Sequence, residues 1–232
     1  MNVAIIPARG GSKRIPRKNV KLFMGKPIIQ WSIEVAKNSG CFDKIIVSTD
    51  DDEIAEVAQK NGAEVPFMRP LELANDFAET IPVIAHAIRW LTCNNIFMDA
   101  ACCIYPTAPL IQKEDLISGM NAVQAKNVNY AFAAVKFNYP IQRAFRINGS
   151  GSIELIDESA RNARSQDLEE SWHDAGQFYW GKRDSWIEEL PILGPNSIPI
   201  PIPSVRAQDI DTLDDWLNAE YKFKYLREKN LC

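Results

Sequence analysis

The sequence predicts an α/β fold with a doubly wound, mainly parallel sheet, and two observations lead to this prediction. Short apolar segments rich in β-branched residues alternate with helical patterns from the first residues to about residue 137. Such alternation is typical of parallel strands that are joined by crossover helices. The 232 residues are also 46% hydrophobic and 24% charged, which suits a globular protein with a substantial core. We therefore expect one domain over residues 1–232.

The predicted elements follow from apolar spacing and from residues that favour the ends of elements. The apolar run Val3–Ile6 is typical of a buried strand. A helix is expected from Lys26 to about Asn38, because Pro27 suits a first helical turn and Gly40 suits the stop. The further predictions are strands at 44–48, 63–67, 100–105 and 131–137, and helices at about 50–61, 78–93, 113–126 and 213–229, the last capped by Thr212.

Residues 138–180 break this alternation. The segment is rich in polar and aromatic residues, and Asn148-Gly149-Ser150-Gly151 is typical of a hairpin turn. We interpret the segment as an excursion from the core sheet. The chain returns at 198–205, where three prolines favour an edge or extended segment.

A basic loop with paired glycines follows the first strand. The stretch AIIPARGGSKRIPRKN occupies residues 4–19, and six cationic side chains lie between Arg9 and Lys21. Adjacent glycines let backbone N–H groups approach a ligand closely, and arginine and lysine suit phosphate oxygens. Neither a Walker loop nor the three-glycine dinucleotide fingerprint is present. Because ligands of a doubly wound sheet lie beyond the carboxyl ends of its strands, we expect one crevice along the turns at Arg9, Asp50 and Pro106.

The alternative for this loop is a solvated basic segment or a patch that binds nucleic acid. A net charge of −4 argues against a nucleic-acid surface, since such a surface usually makes a domain basic. The concentration of positive charge in one loop favours a small anionic ligand. We therefore expect no nucleic-acid partner.

The segment Gln208-Asp209-Ile210-Asp211-Thr212 is the strongest acidic candidate. On an extended chain, residues two apart point to the same side, so Asp209 and Asp211 can converge on one cation. Mg²⁺ takes few carboxylates and completes its shell with phosphate and water oxygens. The alternative is that Asp211 or Thr212 caps the final helix.

The five cysteines (Cys41, Cys93, Cys102, Cys103 and Cys232) form no C-x-x-C pair. With an odd count and no secretory leader, this pattern is typical of a reducing cytoplasm. No apolar stretch approaches the length of a membrane span, so we expect no membrane partner.

The stretch AIIPARGGSKRIPRKN resembles the signature loop of the cytidylyltransferases that make CMP-activated nine-carbon sugar acids. The resemblance continues in pieces to QDIDT at 208–212 and so covers nearly the whole chain. It implies a Rossmann-like nucleotidyltransferase that joins CTP and a nonulosonic acid to give a CMP-sugar and pyrophosphate. It also implies that the 138–180 excursion packs on a second subunit as a dimerisation segment, and hence a homodimer.

The resemblance assigns roles to particular residues. Lys18, Asp209 and Arg9 would be catalytic, and Asp209 and Asp211 would hold Mg²⁺. The implied CTP-binding residues are Ala8, Arg9, Gly10, Gly11, Ser12, Lys18, Asn19, Arg69 and Thr80.

Residues 164–180 are dense in hydrogen-bonding and aromatic groups, which suit either a hydroxylated sugar or a subunit interface. HDAGQFYWG at 173–181 resembles the pseudaminic acid branch of the family. Tyr105 stands where sialic acid synthetases typically carry glutamine, which argues against a neuraminic acid substrate. The resemblance therefore favours pseudaminic acid, and sialic, legionaminic and Kdo acids are the alternatives. A non-catalytic nucleotide- or nucleic-acid-binding module is the remaining alternative. The implied sugar-binding residues are Tyr105, Arg164, Gln166, His173, Asp174, Gln177 and Phe178.

Overall fold

The computed structural model describes residues 1–229 and contains ten strands and six α-helices within that range. The strands are β1 (Asn2–Pro7), β2 (Leu22–Phe23), β3 (Lys26–Pro27), β4 (Lys44–Ser48), β5 (Ala100–Ile104), β6 (Tyr130–Lys136), β7 (Phe145–Ile147), β8 (Ile153–Leu155), β9 (Trp172–Lys182) and β10 (Ser197–Pro201). The helices are α1 (Ile28–Ser39), α2 (Asp52–Lys60), α3 (Thr80–Cys93), α4 (Lys113–Val123), α5 (Arg183–Ile187) and α6 (Leu213–Glu228).

Six strands form the central sheet in the order β10-β6-β9-β5-β1-β4. β1 pairs in parallel with both β4 and β5, and β10 pairs in parallel with β6. Only β9 among the sheet's strands runs antiparallel to its two neighbours, β5 and β6. The predicted mainly parallel sheet is therefore confirmed, and β10 forms an edge as its prolines indicate.

The two faces of the sheet each support a separate apolar core. Along β1 the side chains alternate: Ile6 packs with residues of α1, α2 and α4, whereas Ile5 packs with residues of α3 and α5. Helices therefore cover both faces, as a doubly wound fold requires. A third cluster joins α6 to the first loop and to β2, through Ile15, Phe23 and Phe223.

Several helix ends lie where local signals place them. Gly40 ends α1 in the left-handed conformation with φ 65°, which glycine adopts without strain. Thr212 caps α6, and its side chain accepts a hydrogen bond from the Asp215 N–H at 3.2 Å. The start of α1 differs from the prediction, because Lys26 and Pro27 pair with β2 before the helix begins at Ile28.

The predicted strand at 63–67 is wrong, because this segment contributes only isolated bridges. Glu64 bridges to Ile46, and Met68 bridges to Thr49. Pro66 lies between these bridges and has no N–H to donate, so a continuous ladder cannot form along this edge.

The excursion is shorter than the sequence predicts. The hairpin is present as β7 and β8, paired antiparallel around the predicted turn. Residues 172–180, however, belong to β9 in the centre of the main sheet. Three aromatic residues of this stretch alternate between the two cores, with Phe178 and Trp180 on one side and Tyr179 on the other, whereas Trp172 is 44% exposed. Their density therefore reflects a buried strand rather than a surface.

Two general expectations can be compared with residues 1–229. None of the helices described there has the length and apolar character to cross a membrane. Cys41, Cys93, Cys102 and Cys103 are free thiols, and Cys232 lies outside the described residues.

Candidate active site

A cavity of about 590 Å³ lies at the carboxyl ends of β1 and β5. The basic loop after β1 forms one wall, the turn after β5 forms another, and the start of α3 and the segment before α6 complete it. The lining residues are Pro7, Arg9, Ser12, Lys13, Arg14, Lys18, Asn19, Arg69, Asp76, Ala78, Glu79, Thr80, Val83, Tyr105, Pro106, Thr107, Asp209 and Asp211. The Arg9 and Pro106 turns thus share one crevice, as predicted. Asp50, expected to line the same crevice, is not among the lining residues and instead accepts a hydrogen bond from the basic loop.

The basic loop is held in shape from behind, which leaves its cations facing the cavity. The Gly10 N–H donates to Asp50 Oδ1 at 3.0 Å, and Asn19 Nδ2 donates to the Arg9 carbonyl at 2.9 Å. A Cβ on Gly10 would lie 2.7 Å from Asp51 Oδ2, so a side chain here would have to displace the carboxylate that pairs with Arg17. Arg17 turns away from the cavity and pairs with Asp51 and Glu53.

Opposite charges meet on two sides of the cavity. On one side, Asp76 pairs with Arg9 at 2.7 Å and with Lys13 at 2.5 Å. On the other, Asp211 pairs with Arg14 at 2.9 Å. Lys18 Nζ donates to the Ile210 carbonyl at 2.6 Å and approaches Asp211 Oδ1 at 3.5 Å. The cations of the cavity wall are thus partly neutralised by carboxylates that a polyanionic ligand could displace.

Asp209 and Asp211 line the cavity together, as the Asp-x-Asp pattern predicts. Desolvation in the cavity, and then the neighbouring charge of Asp211, raise the pKa of Asp209. The alternative is that Asp211 or Thr212 caps the final helix, and only Thr212 does so. Thr212 caps α6 together with Asp215, whereas the carboxylate of Asp211 faces Lys18 and Arg14.

Two neighbouring carboxylates fit a hard cation that brings most of its own oxygen ligands. Within residues 1–229, no group of three or more His, Cys, Asp or Glu side chains is arranged to hold a metal. Mg²⁺ usually takes one or two carboxylates and completes its shell with substrate phosphates and water. The pair therefore fits a cation that arrives with a triphosphate.

Arg69 is 6% exposed, although it contributes to the cavity wall. Its Nε donates to Ser48 Oγ at 3.0 Å, its Nη2 donates to the Ser48 carbonyl, and its Nη1 donates to the Leu73 carbonyl at 3.4 Å. Burial lowers the pKa of Arg69 to about 10, so the group remains cationic at neutral pH. The guanidinium tethers the chain after β4 to that strand, and its contact with a nucleotide stays a prediction.

Tyr105 and Thr80 meet inside the cavity. Their hydroxyl oxygens lie 2.9 Å apart in a hydrogen bond, and burial raises the pKa of Tyr105 to about 12. The Tyr105 hydroxyl therefore stays protonated over the whole physiological range and can act as a neutral hydrogen-bond donor.

Most of the predicted sugar-binding residues lie outside this cavity. Arg164 and Gln166 are exposed on the excursion, where Arg164 pairs with Asp167 at 2.7 Å. His173 is also exposed, and its ring lies 4.7 Å from that of Phe137. Asp174 accepts a hydrogen bond from the Tyr179 hydroxyl at 2.6 Å. These side chains do not meet Tyr105 in the wall of their own chain's cavity.

Two of the sugar-binding assignments need correction, because the side chains are enclosed in the core. Phe178 is 0% exposed and packs between the sheet and α4. Gln177 is 1% exposed, and its Nε2 donates to the Arg206 carbonyl. Both lie on β9, whose place in the sheet leaves neither side chain with a surface for a sugar.

The predicted CTP-binding residues divide into two groups. Those in the cavity wall are Arg9, Ser12, Lys18, Asn19, Arg69 and Thr80, whereas Ala8, Gly10 and Gly11 form the loop behind the wall. Sequence reasoning missed Asp76, Glu79 and Thr107. A lone carboxylate between two elements carries no local signal, and only the fold brings Asp76 to the basic loop.

The model of a family described as cytidylyltransferase matches residues 3–179. The chain belongs to the cytidylyltransferase family. This cytidylyltransferase is 45% identical to the pseudaminic acid cytidylyltransferase of Campylobacter jejuni over 227 residues, which cover 98% of each chain. It is also 31% identical to the CMP-N,N'-diacetyllegionaminic acid synthase of Legionella pneumophila, and the match covers 94% of each chain.

A solved structure supports the fold assignment for this cytidylyltransferase. The structure of CMP:2-keto-3-deoxy-manno-octonic acid synthetase complexed with CTP matches with a TM-score of 0.70 and covers 97% of this chain and 98% of that one. The sequence identity is 18%, so this likeness concerns the arrangement of strands and helices alone.

Proposed function

We propose that this cytidylyltransferase joins CTP and pseudaminic acid to give the CMP-sugar and pyrophosphate. The observation that carries the proposal is the 45% identity, over 98% of both chains, to a pseudaminic acid cytidylyltransferase. The cavity adds chemical support, since it combines a loop of cations with two carboxylates at the carboxyl edge of the sheet. The legionaminic acid relative at 31% identity makes legionaminic acid the second candidate.

The reaction requires an oxygen nucleophile and a stable leaving group. The anomeric hydroxyl oxygen of the sugar attacks the α-phosphorus of CTP, and the bond from that phosphorus to the bridging oxygen breaks as pyrophosphate leaves. Asp209 is the group proposed to accept the hydroxyl proton, because its carboxylate lines the cavity beside the basic loop and a general base must lie within reach of the proton that it takes.

The basic loop stabilises the charge that builds up on the phosphates. Arg9, Lys13 and Lys18 line the cavity, and preorganised cations lower a barrier without rearranging during the reaction. Mg²⁺, when held by Asp209 and Asp211, would offset further negative charge on the triphosphate. Positioning and electrostatics are then the main contributions of the protein, as in phosphoryl transfer generally.

The chain is proposed to act as a homodimer with shared sugar sites. Arg164, Gln166 and His173 are exposed outside their own cavity, so a second copy is the means of bringing them to a sugar. The excursion also exposes apolar side chains, among them Tyr139, Phe145, Ile147, Ile153 and Ile156. Large exposed apolar groups on a protruding segment are typical of an interaction surface.

Release of pyrophosphate tests the proposed function directly. Pseudaminic, legionaminic, N-acetylneuraminic and Kdo acids are each incubated with enzyme and CTP, and pseudaminic acid is then incubated with UTP, ATP and GTP. We expect the highest kcat/KM for CTP with pseudaminic acid, because polar groups placed for one stereoisomer remain unpaired with another. A higher kcat/KM for legionaminic acid would assign that substrate instead, and no pyrophosphate from any pair would favour a non-catalytic nucleotide-binding module.

A further inference from the structure

A buried ion pair holds the chain just before the segment that carries Asp209 and Asp211. Arg206 Nη2 donates to Asp115 Oδ1 at 3.0 Å, and Nη1 donates to Asp115 Oδ2. The two side chains are 11% and 8% exposed. Asp115 lies in the first turn of α4, and Arg206 ends a short 3-10 turn three residues before Asp209. Neither residue lines the cavity, and the proposed reaction uses neither.

Hydrogen bonds extend from this pair to the cavity wall. The Arg206 carbonyl accepts a hydrogen bond from Gln177 Nε2, and the Gln177 carbonyl accepts one from the Tyr105 N–H at 2.8 Å. Asp115 Oδ2 also accepts the Gln112 N–H at 3.1 Å. The pair thus joins the start of α4, strand β9, the turn after β5 and the segment before α6.

The next two residues after Arg206 are held from the opposite side. Lys222 on α6 donates from Nζ to the Ala207 carbonyl at 2.6 Å and to Gln208 Oε1 at 3.0 Å. Thr212 and Asp215 then fix the far end of the segment through the cap of α6. Residues 207–211 therefore lie between an anchor at Arg206 and an anchor at Thr212, and Lys222 holds the first two of them.

Stability alone is a weak reason to bury such a pair. The cost of desolvating two charges roughly cancels their attraction, and apolar replacements are often as stable. Gln177, which donates to the Arg206 carbonyl, adds a further cost to folding, because its Oε1 is buried without a hydrogen-bond partner. What a two-pronged arginine–carboxylate pair supplies is a defined orientation, and here it orients the backbone that leads to the two cavity carboxylates.

We propose that Arg206, fixed by Asp115 and Gln177, is a positioning residue that places Asp209 and Asp211 for cation-assisted CTP binding. The proposal rests on the proposed function for the identity of the ligand. The protein-side consequence is separate: without the two-pronged pair, the carboxylates remain present but no longer converge. Loss of a group that orients a metal ligand typically costs 10–100-fold in metal affinity or activity, and Arg206 would orient these ligands through the three residues of backbone that separate it from Asp209.

The test is Arg206→Lys, which retains the positive charge but removes the two-pronged geometry. Arg89→Lys is the control for exchanging arginine with lysine, because Arg89 Nη2 donates to the Ile187 carbonyl and to Glu189 on the other face of the sheet, away from the cavity. We measure kcat, KM for CTP, the half-saturating Mg²⁺ concentration and the melting temperature. Mn²⁺ binding is titrated by electron paramagnetic resonance with CTP present and sugar absent, so that the cation has its phosphate ligands and the readout does not depend on turnover.

For Arg206→Lys we expect a folded protein with Mn²⁺ affinity and kcat each reduced about tenfold or more, whereas Arg89→Lys retains both. Unchanged Mn²⁺ affinity in folded Arg206→Lys would overturn the proposal, as would a loss in melting temperature alone. If Arg206→Lys does not fold, Gln177→Met replaces it, because this change removes the donor to the Arg206 carbonyl. Weakened Mn²⁺ binding by Gln177→Met supports the proposal, and wild-type affinity overturns it.

A wild-type enzyme without pyrophosphate release would contradict the proposed function but leave the Mn²⁺ comparison interpretable. The two ideas can therefore fail separately.

Discussion

At the scale of single residues, the charges of the cavity are arranged for a ligand that competes with the protein's own carboxylates. Asp76 neutralises Arg9 and Lys13, and Asp211 neutralises Arg14. These side chains are partly exposed, so the pairs contribute little to stability. A triphosphate that carries more charge than either carboxylate can replace both at modest cost.

We expect Arg9→Ala to lower kcat/KM by about ten- to over a hundredfold. The variant loses a charge-assisted contact with a phosphate, which is worth roughly 1.5–3 kcal/mol. Steady-state kinetics with CTP measures the effect, and Lys60→Ala on the exposed face of α2 is the control. Wild-type turnover by a correctly folded Arg9→Ala protein would contradict the role of the loop.

Asp209→Asn is expected to remove metal-dependent turnover and at the same time to stabilise the metal-free fold at neutral pH. The pKa of Asp209 is raised by desolvation and by Asp211, so the native state disfavours the ionised form relative to the unfolded chain. Removing the charge relieves this penalty. As the pH falls through the ordinary range of aspartate, about 4, the wild-type carboxyl becomes protonated and the difference should vanish.

Thermal unfolding of both proteins in EDTA, at neutral and acidic pH, measures the stability difference. A lower melting temperature for Asp209→Asn at neutral pH would mean that the Asp209 carboxylate stabilises the fold. Wild-type activity that persists in EDTA would remove the metal assignment.

At the scale of elements, the sequence predicts a feature well when the residues that determine it lie close together in the chain. Gly40 and Thr212 mark helix ends within one turn of chain, and both ends lie where the sequence predicts them. β9 carries no local mark that distinguishes it from a polar excursion, because its place between β5 and β6 is set by residues far away in sequence. For the same reason the resemblance places Gln177 and Phe178 among the sugar-binding residues, whereas the structure encloses both side chains.

The contact between α4 and β9 gives a test of this packing. A Cβ at Gly119 would lie 2.5 Å from Trp180 Cδ1 and 3.0 Å from Phe178 Cε2. We expect Gly119→Ala to lower the free energy of unfolding by roughly 1–3 kcal/mol through overpacking, although alanine favours a helix more than glycine does.

Chemical denaturation measures the effect, with Gly149→Ala as the control because nothing lies within 4 Å of a Cβ there. A stabilised Gly119→Ala protein would show that α4 stands farther from β9 than described.

At the scale of the whole molecule, the cavity assembles from segments that are distant along the chain. The basic loop near residue 9, Asp76, Tyr105 and Asp209 meet because parallel strands end at the same edge of the sheet. This much of the site could be predicted from the alternation of strands and helices together with the motifs. The Asp76 pairings could not be, since they depend on the path of a loop rather than on a pattern.

The proposed shared site predicts that two inactive variants restore activity when mixed. Asp209→Asn inactivates the cavity, and His173→Ala is expected to remove a sugar contact that reaches the partner's cavity. A mixed dimer then retains one site with both functional groups. Pyrophosphate release after subunit exchange, compared with each variant alone, is the measurement. Absence of recovery in verified mixed dimers would assign His173 to its own chain.

The position of β9 has a consequence for how the chain reaches this structure during synthesis. β5 and β6 do not pair with each other, and each is bonded to β9. Until residue 182 has been synthesised, the edges of β5 and β6 that pair with β9 in the folded protein have no hydrogen-bond partner. Such unpaired strand edges are prone to pairing between molecules. Chains arrested before residue 172 should be sensitive to protease and prone to aggregation. The central sheet is completed only when β9, which is synthesised after β5 and β6, inserts between them.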